Sequence, residues 1–328
     1  MSARGANPAA VLEAIRARAA RGEAGGRASD GRRIGLVIEG GAMRGVVSAG
    51  ALIGLEELGF TRLFDEVYGC SAGAVNASYF LAGQAAFGTT IYYENINNAR
   101  FINPWRWRRI VDVDFLFDTV VPHEKPLLVD RILASPSRLL ISITDAGTGE
   151  AFLVDPRSTP VPFLTLLRAS CALPVLYNKF IDVEGRACLD GGCANPIPVA
   201  DAIARGCTDV LVLLSRPVGF VERALAGWER AAFSRYCARG NAKLMTTIMG
   251  VHDQGNASRD LALGRRAAPA GANVATFCPE DDEPTIARTE RDGRKLRDAA
   301  SRSALRVLRA FGRSDARLVD VLRAFPER

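Results

Sequence analysis

The distribution of apolar and polar residues along the chain predicts alternating strands and helices. Short apolar runs bounded by charged residues or glycine, such as Ile34–Ile38, are typical of buried strands. Segments with helical spacing follow, as between Val47 and Gly59. This alternation predicts an α/β fold in three layers, α/β/α, with a mainly parallel central sheet. The other predicted strands are Asp65–Tyr68, Leu139–Ile143, Ala151–Val154, Val210–Leu214 and Val274–Phe277, and the other predicted helices are Ala74–Ala82, Phe163–Ala169, Pro198–Arg205, Val221–Val251 and Thr289–Phe311.

Composition places the chain among folded proteins. Its 328 residues are 48% hydrophobic and 24% charged, which excludes wholesale disorder. No stretch approaches the roughly 20 uncharged apolar residues of a membrane-spanning helix, and arginines interrupt the N-terminal segment where a signal peptide is apolar. The expected location is therefore the cytoplasm, with peripheral contact at the inner face of the membrane left open.

Cysteine and histidine usage restricts the chemistry. Seven cysteines without a C-x-x-C pair argue against both a disulfide framework and a zinc ribbon. The two histidines, His123 and His252, lie far apart in the chain. We interpret His123 as a loop residue and His252 as a core or surface residue.

The net charge of +6 comes mainly from basic residues near the two ends of the chain. Such flanks can attract anionic lipids or simply be solvated. The segment Asn103–Arg109 interleaves two tryptophans with three arginines, a composition typical of the bilayer interface. The alternative is a tryptophan packed in the core beside solvated arginines. Aromatic residues are too few and too local for a base-stacking track, so we expect no nucleic-acid partner.

The segment Gly69–Gly73 fits the pattern G-x-S-x-G between a predicted strand and a predicted helix. In this nucleophile elbow a sharp turn lifts the serine hydroxyl clear of the sheet, and glycines at Gly69 and Gly73 avoid collisions across the turn. A helix that begins just after Ser71 directs its amide N–H groups toward a developing anion. Ser71 is therefore a candidate nucleophile.

Residues 39–45 form a second glycine-rich turn between strand and helix. Valines stand where a P-loop requires Lys and Ser or Thr, and the spacing of Gly40, Gly41 and Gly45 does not match a dinucleotide fingerprint. What remains is a turn whose free backbone N–H groups can bind an oxyanion, with Arg44 adding positive charge beside it.

A third motif, Asp190-Gly-Gly, predicts by itself only a turn. The order Gly-Gly-x-x-Arg-Gly, Gly-x-Ser-x-Gly and Asp-Gly-Gly, however, resembles the patatin-like phospholipases. The stretch from about Ile34 to about Phe311 is similar to their bacterial members, and so is the segment Arg168–Pro174. The resemblance implies a patatin-like fold, a catalytic dyad of Ser71 and Asp190, and an oxyanion loop at Gly40, Gly41, Arg44 and Gly45.

One position departs from that family pattern. Ala42 stands where the family often has a third glycine. Alanine limits φ but keeps its N–H, so we expect a narrowed oxyanion loop with its donor retained.

The resemblance implies a serine lipid acyl hydrolase that cleaves carboxylic esters of phospholipids or lysophospholipids through an acyl-enzyme intermediate, without a metal or organic cofactor. The alternatives are a thioesterase or general carboxylesterase with the same dyad, and a regulatory or partner-binding protein with incidental activity. The sequence predicts no particular oligomeric state.

Along the chain we expect a flexible N-terminal tail or a frayed helix at residues 1–31 and a patatin-like catalytic core at residues 32–215. Residues 216–328 are helical and basic and are expected to complete the same domain, because no linker separates them from the core.

The scarcity of histidine supports a dyad independently. A Ser-His-Asp triad on this type of elbow needs a histidine after the acid, and only His252 follows Asp190. An aspartate with its ordinary pKa of about 3.9 is a weak base, and desolvation would raise that pKa. We therefore expect a carboxylate to set the acidic limb of the pH profile.

Overall fold

The computed structural model describes residues 7–26, 29–106, 109–237 and 241–313. Within them, eight strands form one sheet in the order β5-β6-β3-β2-β1-β7-β8, and β4 pairs with β3. The strands are β1 Ile34–Ile38, β2 Glu66–Cys70, β3 Arg138–Asp145, β4 Ala151–Val154, β5 Ile181–Val183, β6 Arg186–Asp190, β7 Asp209–Leu213 and β8 Asn273–Phe277. The helices are α1 Pro8–Ala20, α2 Val46–Glu57, α3 Ala72–Leu81, α4 Ala85–Thr89, α5 Val113–Phe115, α6 Val129–Leu133, α7 Phe163–Ser170, α8 Val199–Ala204, α9 Gly227–Cys237, α10 Ala242–Ala262 and α11 Gly293–Ala310.

The centre of the sheet is parallel and one edge is antiparallel. Strands β3, β2, β1, β7 and β8 run parallel to their neighbours, whereas β4 and β6 pair antiparallel with β3, and β5 pairs antiparallel with β6. The carboxyl ends of the parallel strands therefore meet at one edge, where ligand sites of open α/β sheets form.

Both faces of the sheet are covered. Side chains alternate along β1, so that Leu36 and Ile38 join a core with α2, α3 and α11, while Val37 joins a core with α8 and α10 on the other face. This confirms the predicted three-layer fold with a mainly parallel sheet.

The expectation of a flexible tail at residues 1–31 is wrong for residues 8–20, which form α1. Asn7 caps this helix by accepting a hydrogen bond from Ala10 N, and a proline occupies its first turn. Val11 and Ile15 are fully buried, and Arg18 pairs with Asp65 in the interior at 2.7 Å. The helix packs against β7 and β8, contacts that its weak apolar periodicity does not reveal.

The predicted helix over Val221–Val251 is two helices, α9 and α10. Asn241 begins α10 by accepting a hydrogen bond from Lys243 N, which caps a new helix instead of continuing the previous one. At the C-terminal side, α11 packs against α2. His123 lies in a π-helical turn, Leu116–Glu124, and not in an irregular loop.

Among the described helices, none is both long enough and apolar enough to cross a bilayer.

Candidate active site

The nucleophile elbow predicted at Ser71 has the required strained geometry. Ser71 lies between the end of β2 and the start of α3 with φ 56° and ψ −130°, a conformation that non-glycine residues rarely adopt. A Cβ on Gly69 would lie 2.4 Å from Ala74 Cα, and one on Gly73 would lie 2.3 Å from Ile38 O. Side chains are thus excluded on both sides of the turn.

Ser71 and Asp190, 119 residues apart in sequence, are in hydrogen-bond contact. The Ser71 hydroxyl donates to Asp190 Oδ2 at 2.6 Å. Gly192 N donates to the other carboxylate oxygen at 2.7 Å, and Thr144 Oγ1 donates to the backbone carbonyl of Asp190 at 2.9 Å. The carboxylate is therefore fixed on both sides, with one oxygen directed at the serine hydroxyl.

The sheet register explains how the two residues meet. Strand β3 lies between β2 and β6, and it places Ser142 opposite Cys70 and Ile143 opposite Asp190. Ser71, one residue after Cys70, therefore emerges at the same level of the sheet as the carboxylate.

Burial gives Asp190 the properties of a stronger base. Ser71 is 6% exposed and Asp190 is 1% exposed. Desolvation raises the pKa of Asp190 to about 6, although the hydrogen bonds from Ser71 and Gly192 and the positive charge of Arg288 favour the ionised form. At neutral pH the carboxylate is mostly ionised, and it holds a proton more readily than an exposed aspartate.

The glycine-rich turn lies directly beside the elbow. A Cβ on Gly40 would lie 2.8 Å from Ser71 Cβ. Within the described part of the chain, the amides of Gly40, Gly41, Ala42 and Ala72 donate to no protein acceptor. Gly40, Gly41 and Ala42 line a cavity together with Ser71, and Ala72 follows Ser71 in the chain, so unpaired donors are available where an oxyanion would form.

Ala42 occupies a strained position within this turn. Its φ is 53°, in the left-handed region that favours glycine, and it follows Gly41 at φ 136°. For an alanine this conformation costs roughly 1–2 kcal/mol. The strain is consistent with its place at a position where the family often has glycine.

Arg44 lies against the turn with incomplete pairing. Its guanidinium is close enough to Gly41 that a Cβ there would lie 2.9 Å from Nη2. Nε donates to Ser215 Oγ at 3.2 Å, and no carboxylate of the described residues is within 4 Å of the guanidinium. Burial and the neighbouring charge of Arg216 lower the pKa of Arg44 to about 9, so it remains cationic at neutral pH.

Two further groups of residues hold this geometry, and the sequence motifs did not single them out. Asn76 Nδ2 donates to Gly45 O at 2.8 Å, and Tyr92 OH donates to Asn76 Oδ1 at 3.0 Å, which fixes the end of the glycine turn. Ser170 Oγ accepts from Ser71 N at 2.9 Å and donates to Ser142 O at 2.7 Å. Ser170 belongs to the Arg168–Pro174 segment, whose similarity to the family was the available signal.

Two cavities open at Ser71. One has a volume of about 380 Å³ and is lined by both apolar and charged residues. The second is a smaller apolar cavity of about 50 Å³. The apolar lining residues of the larger cavity include Leu173, Val175, Leu176, Leu225, Phe233 and Ile248, and its charged lining residues include Glu39, Arg44, Arg216, Glu222 and Arg288.

His252 lies in the wall of the larger cavity, not in the interior core. Its Nδ1 is 3.1 Å from Met249 O, and its Nε2 is 3.3 Å from Asp253 Oδ1. Neither contact involves Ser71 or Asp190, so the structure does not form a Ser-His-Asp triad with it. In the described ranges, no three His, Cys, Asp or Glu side chains group closely enough to hold a metal ion.

The known proteins similar to this chain include one curated sequence and one solved structure, each matched over only part of its length. "Uncharacterized protein YjjU" of Escherichia coli (strain K12) is 31% identical over 193 residues, which are 56% of this chain and 52% of that protein. The crystal structure of VipD from Legionella pneumophila aligns with a TM-score of 0.41 at 14% identity, over 58% of this chain and 51% of that chain. The chain thus spans about half the length of each, and the second likeness supports no inference about function.

The patatin-like phospholipase family matches residues 36–203, slightly more than half of the chain. The matched segment runs from β1 to α8 and includes the glycine turn, the elbow and Asp190. The order of these three motifs and the strand order that brings them together belong to this same segment. The chain is therefore a member of the patatin-like phospholipase family.

Proposed function

We propose that this protein is a serine acyl hydrolase that cleaves the carboxylic esters of phospholipids or lysophospholipids with a Ser71–Asp190 dyad. The observation that carries the proposal is the 2.6 Å hydrogen bond from the Ser71 hydroxyl to a buried carboxylate, beside a turn with unpaired amides. Family membership supports the acyl hydrolase class.

In the first half-reaction, Ser71 Oγ attacks the ester carbonyl and its proton passes to Asp190 Oδ2. The amides of Gly41, Ala42 and Ala72 stabilise the negative charge on the carbonyl oxygen of the tetrahedral intermediate. The C–O bond of the ester then breaks, and the proton moves from Asp190 to the departing alcohol oxygen.

In the second half-reaction, a water molecule attacks the acyl-serine carbonyl and gives one proton to Asp190. The same amides stabilise the second tetrahedral intermediate. The bond to Ser71 Oγ breaks, the proton returns to that oxygen, and the fatty acid is released. The raised pKa of Asp190 supports this role, because a base that titrates near the working pH transfers protons in both directions.

The shape and lining of the larger cavity support a lipid ester. Its apolar lining residues can contact an acyl chain, while its charged lining residues can contact the polar part of the molecule. An ester with a long chain and a polar group therefore fits this cavity better than a small water-soluble ester.

The test measures fatty acid released from phosphatidylcholine, lysophosphatidylcholine and p-nitrophenyl esters of graded chain length, with the Ser71→Ala protein as the blank. We expect release from lipids and long-chain esters by the native protein only. Release from acyl thioesters alone would replace the proposal with a thioesterase, and equal release by both proteins would contradict it.

We propose that Ser170 is a positioning residue for Ser71. In Ser170→Ala, the buried Ser71 N–H loses its acceptor, which typically costs about 1–3 kcal/mol of unfolding free energy. A displaced hydroxyl should also lower kcat by about tenfold to hundredfold with little change in KM. Urea unfolding and ester kinetics measure the two effects.

The matched control is Ser137→Ala, because Ser137 is also fully buried but its hydroxyl has no hydrogen-bond partner among the described residues. We expect this control to retain both kcat and stability. Equal kcat values for the two variants would contradict a positioning role for Ser170.

We also propose peripheral contact with anionic membranes. Trp105 is 93% exposed, and Trp228 on α9, which lines the larger cavity, is 73% exposed. Arg106 is less available to lipid head groups than the composition of the segment Asn103–Arg109 indicates, because it pairs with Asp112 at 2.8 Å. Trp107 and Arg108 lie outside the described residues.

Replacement of Trp105 by alanine is expected to weaken binding to vesicles containing phosphatidylglycerol by about tenfold, the effect of removing one buried apolar side chain from an interface. Vesicle sedimentation measures the binding. Leu133→Ala, at another exposed apolar residue, is the control and should bind as the native protein does. Unchanged binding of Trp105→Ala would rule out contact through this segment.

A further inference from the structure

A separate cavity of about 260 Å³ adjoins the larger cavity at Ser71, at the carboxyl ends of β1, β7 and β8. Strand order changes direction here, since the chain continues from β1 to β2 on one side, while β7 and β8 lie on the other. Such switch points are where open α/β sheets form ligand crevices. Arg44 and Arg216 line both cavities.

The wall of this cavity carries an excess of positive charge. Four guanidiniums line it, those of Arg44, Arg216, Arg302 and Arg306, against the single carboxylate of Glu283. Arg302 and Arg306 are four residues apart, so they project from the same face of α11. The other wall residues are mainly apolar, which lowers the local dielectric and strengthens any ionic interaction inside.

The carboxylates nearby compensate only part of this charge. Glu283 is shared by Arg302, at 3.3 Å, and Arg306. Outside the wall, Glu222 pairs with Arg216, and Glu39 lies near enough to Arg44 and Arg216 to favour their charged forms. Glu280 lies 3.9 Å from Arg306 Nε but is mostly exposed to solvent.

Several guanidinium donors lack acceptors. Arg216 is 7% exposed, and its buried Nε has no hydrogen-bond partner among the described residues. Arg44 uses only Nε, toward Ser215, so its two terminal amino groups make no hydrogen bond within the described ranges. A buried charged donor without an acceptor, such as Arg216 Nε, is costly, and an anion placed between the two guanidiniums would provide acceptors for it and for the amino groups of Arg44.

We propose that this cavity is a binding site for a phosphate group. Guanidiniums approach it from three elements: the glycine turn (Arg44), the end of β7 (Arg216) and α11 (Arg302 and Arg306). Oxygens that point in several directions, as on a tetrahedral phosphate, match this arrangement better than the planar pair of a carboxylate. The volume suits a phosphate monoester of a small alcohol, or the phosphodiester of a lipid head group.

The two sources of phosphate lead to different kinetics, and this distinction rests on the proposed hydrolase function. If the head group of an ester bound at Ser71 occupies this cavity, inorganic phosphate competes with the substrate for it. Phosphate is then a competitive inhibitor and raises KM. A free phosphate ester that acts as an effector would change kcat through Arg44, which lies against the oxyanion turn.

Binding itself is measured on the Ser71→Ala protein by calorimetric titration with inorganic phosphate and glycerol 3-phosphate, at constant ionic strength in chloride. This protein separates the binding result from any failure of hydrolysis. We expect saturable binding at one site, weakened at least tenfold in Arg302→Gln/Arg306→Gln. The matched control is Arg294→Gln/Arg309→Gln, which removes two exposed charges from the same helix and should leave binding unchanged.

A second variant tests the site in the opposite direction. Glu283→Gln removes the one carboxylate of the wall, and we expect it to tighten phosphate binding by about threefold to tenfold. Absence of saturable binding to a folded Ser71→Ala protein would overturn the proposal. So would equal affinity in the Arg302/Arg306 variant, or weaker binding in Glu283→Gln.

Discussion

Replacement of Ser71 by alanine is expected to lower kcat for ester hydrolysis by about 10⁴–10⁶-fold, the scale typical for loss of a catalytic serine. The variant keeps the unpaired amides and both cavities but has no atom to form the acyl-enzyme. Substrate binding should therefore persist, with little change in the dissociation constant of a long-chain ester. Stopped-flow detection of p-nitrophenol measures the loss, because the native protein should show an acylation burst that the variant lacks.

The matched control for Ser71→Ala is Ser78→Ala in α3, the helix that follows Ser71. Ser78 is fully buried, and its hydroxyl donates only to Ala74 O within α3 at 2.7 Å. This control should retain kcat within a small factor. A Ser71→Ala protein with native kcat would remove the basis of the proposed function, since it would leave the elbow without a chemical role.

Replacement of Asp190 by asparagine is expected to lower kcat by about 10²–10⁴-fold, because the amide cannot accept the serine proton. In the native protein, kcat/KM should rise with pH through a limb at about 6, the value to which burial raises the pKa of Asp190. The base must be ionised to accept the proton, so activity is lost as pH falls below this value. Profiles of kcat/KM between pH 4 and pH 8 measure the limb.

An ordinary histidine titrates near pH 6.5, close to this limb, so the assignment needs a control. His252→Gln changes the one histidine in the wall of the larger cavity and should leave both the limb and kcat unchanged. A limb that disappears in His252→Gln but persists in Asp190→Asn would assign the base to the histidine and contradict the dyad.

The raised pKa of Asp190 also affects stability. Below about pH 4 the group is protonated in the folded and unfolded states alike. Between about pH 4 and pH 6 the unfolded chain ionises first, so the free energy of unfolding falls as pH rises, by up to about 3 kcal/mol. Asp190→Asn lacks this dependence, and its stability relative to the native protein should increase from pH 4 to pH 7 in urea unfolding.

Motifs whose geometry is local could be predicted from the sequence. The Ser71 elbow depends on five consecutive residues, and the glycine turn at residues 39–45 is equally local. The bounds predicted for β1 and β4 are those that the structure gives them, because each strand is an apolar run bounded on both sides by charged residues. The family resemblance added the pairing of Ser71 with Asp190, which no local pattern indicates.

Strands β5 and β6 were not predicted, although β6 carries Asp190. Arg186 and Ala187 begin β6 as exposed residues at the antiparallel edge of the sheet, so the strand lacks the apolar run of a central strand. For residues 1–31 the sequence left a frayed helix and a flexible tail as alternatives, because the apolar stripe of α1 is narrow, and only its contact with the sheet identifies the helix as part of the fold.

The sequence by itself determined the fold class, the elbow, the glycine turn and the identity of the residues proposed for catalysis, because each depends on neighbouring residues or on an ordered set of motifs. Only the tertiary structure decided the contact between Ser71 and Asp190, the hydrogen bonds by which Ser170 and Asn76 hold the elbow and the glycine turn, and the cluster of arginines beside the larger cavity. These features join residues distant in the chain. Their hydrogen bonds, desolvation and pKa shifts arise from the packing of β2, β3 and β6, and of α11 against α2 and β8.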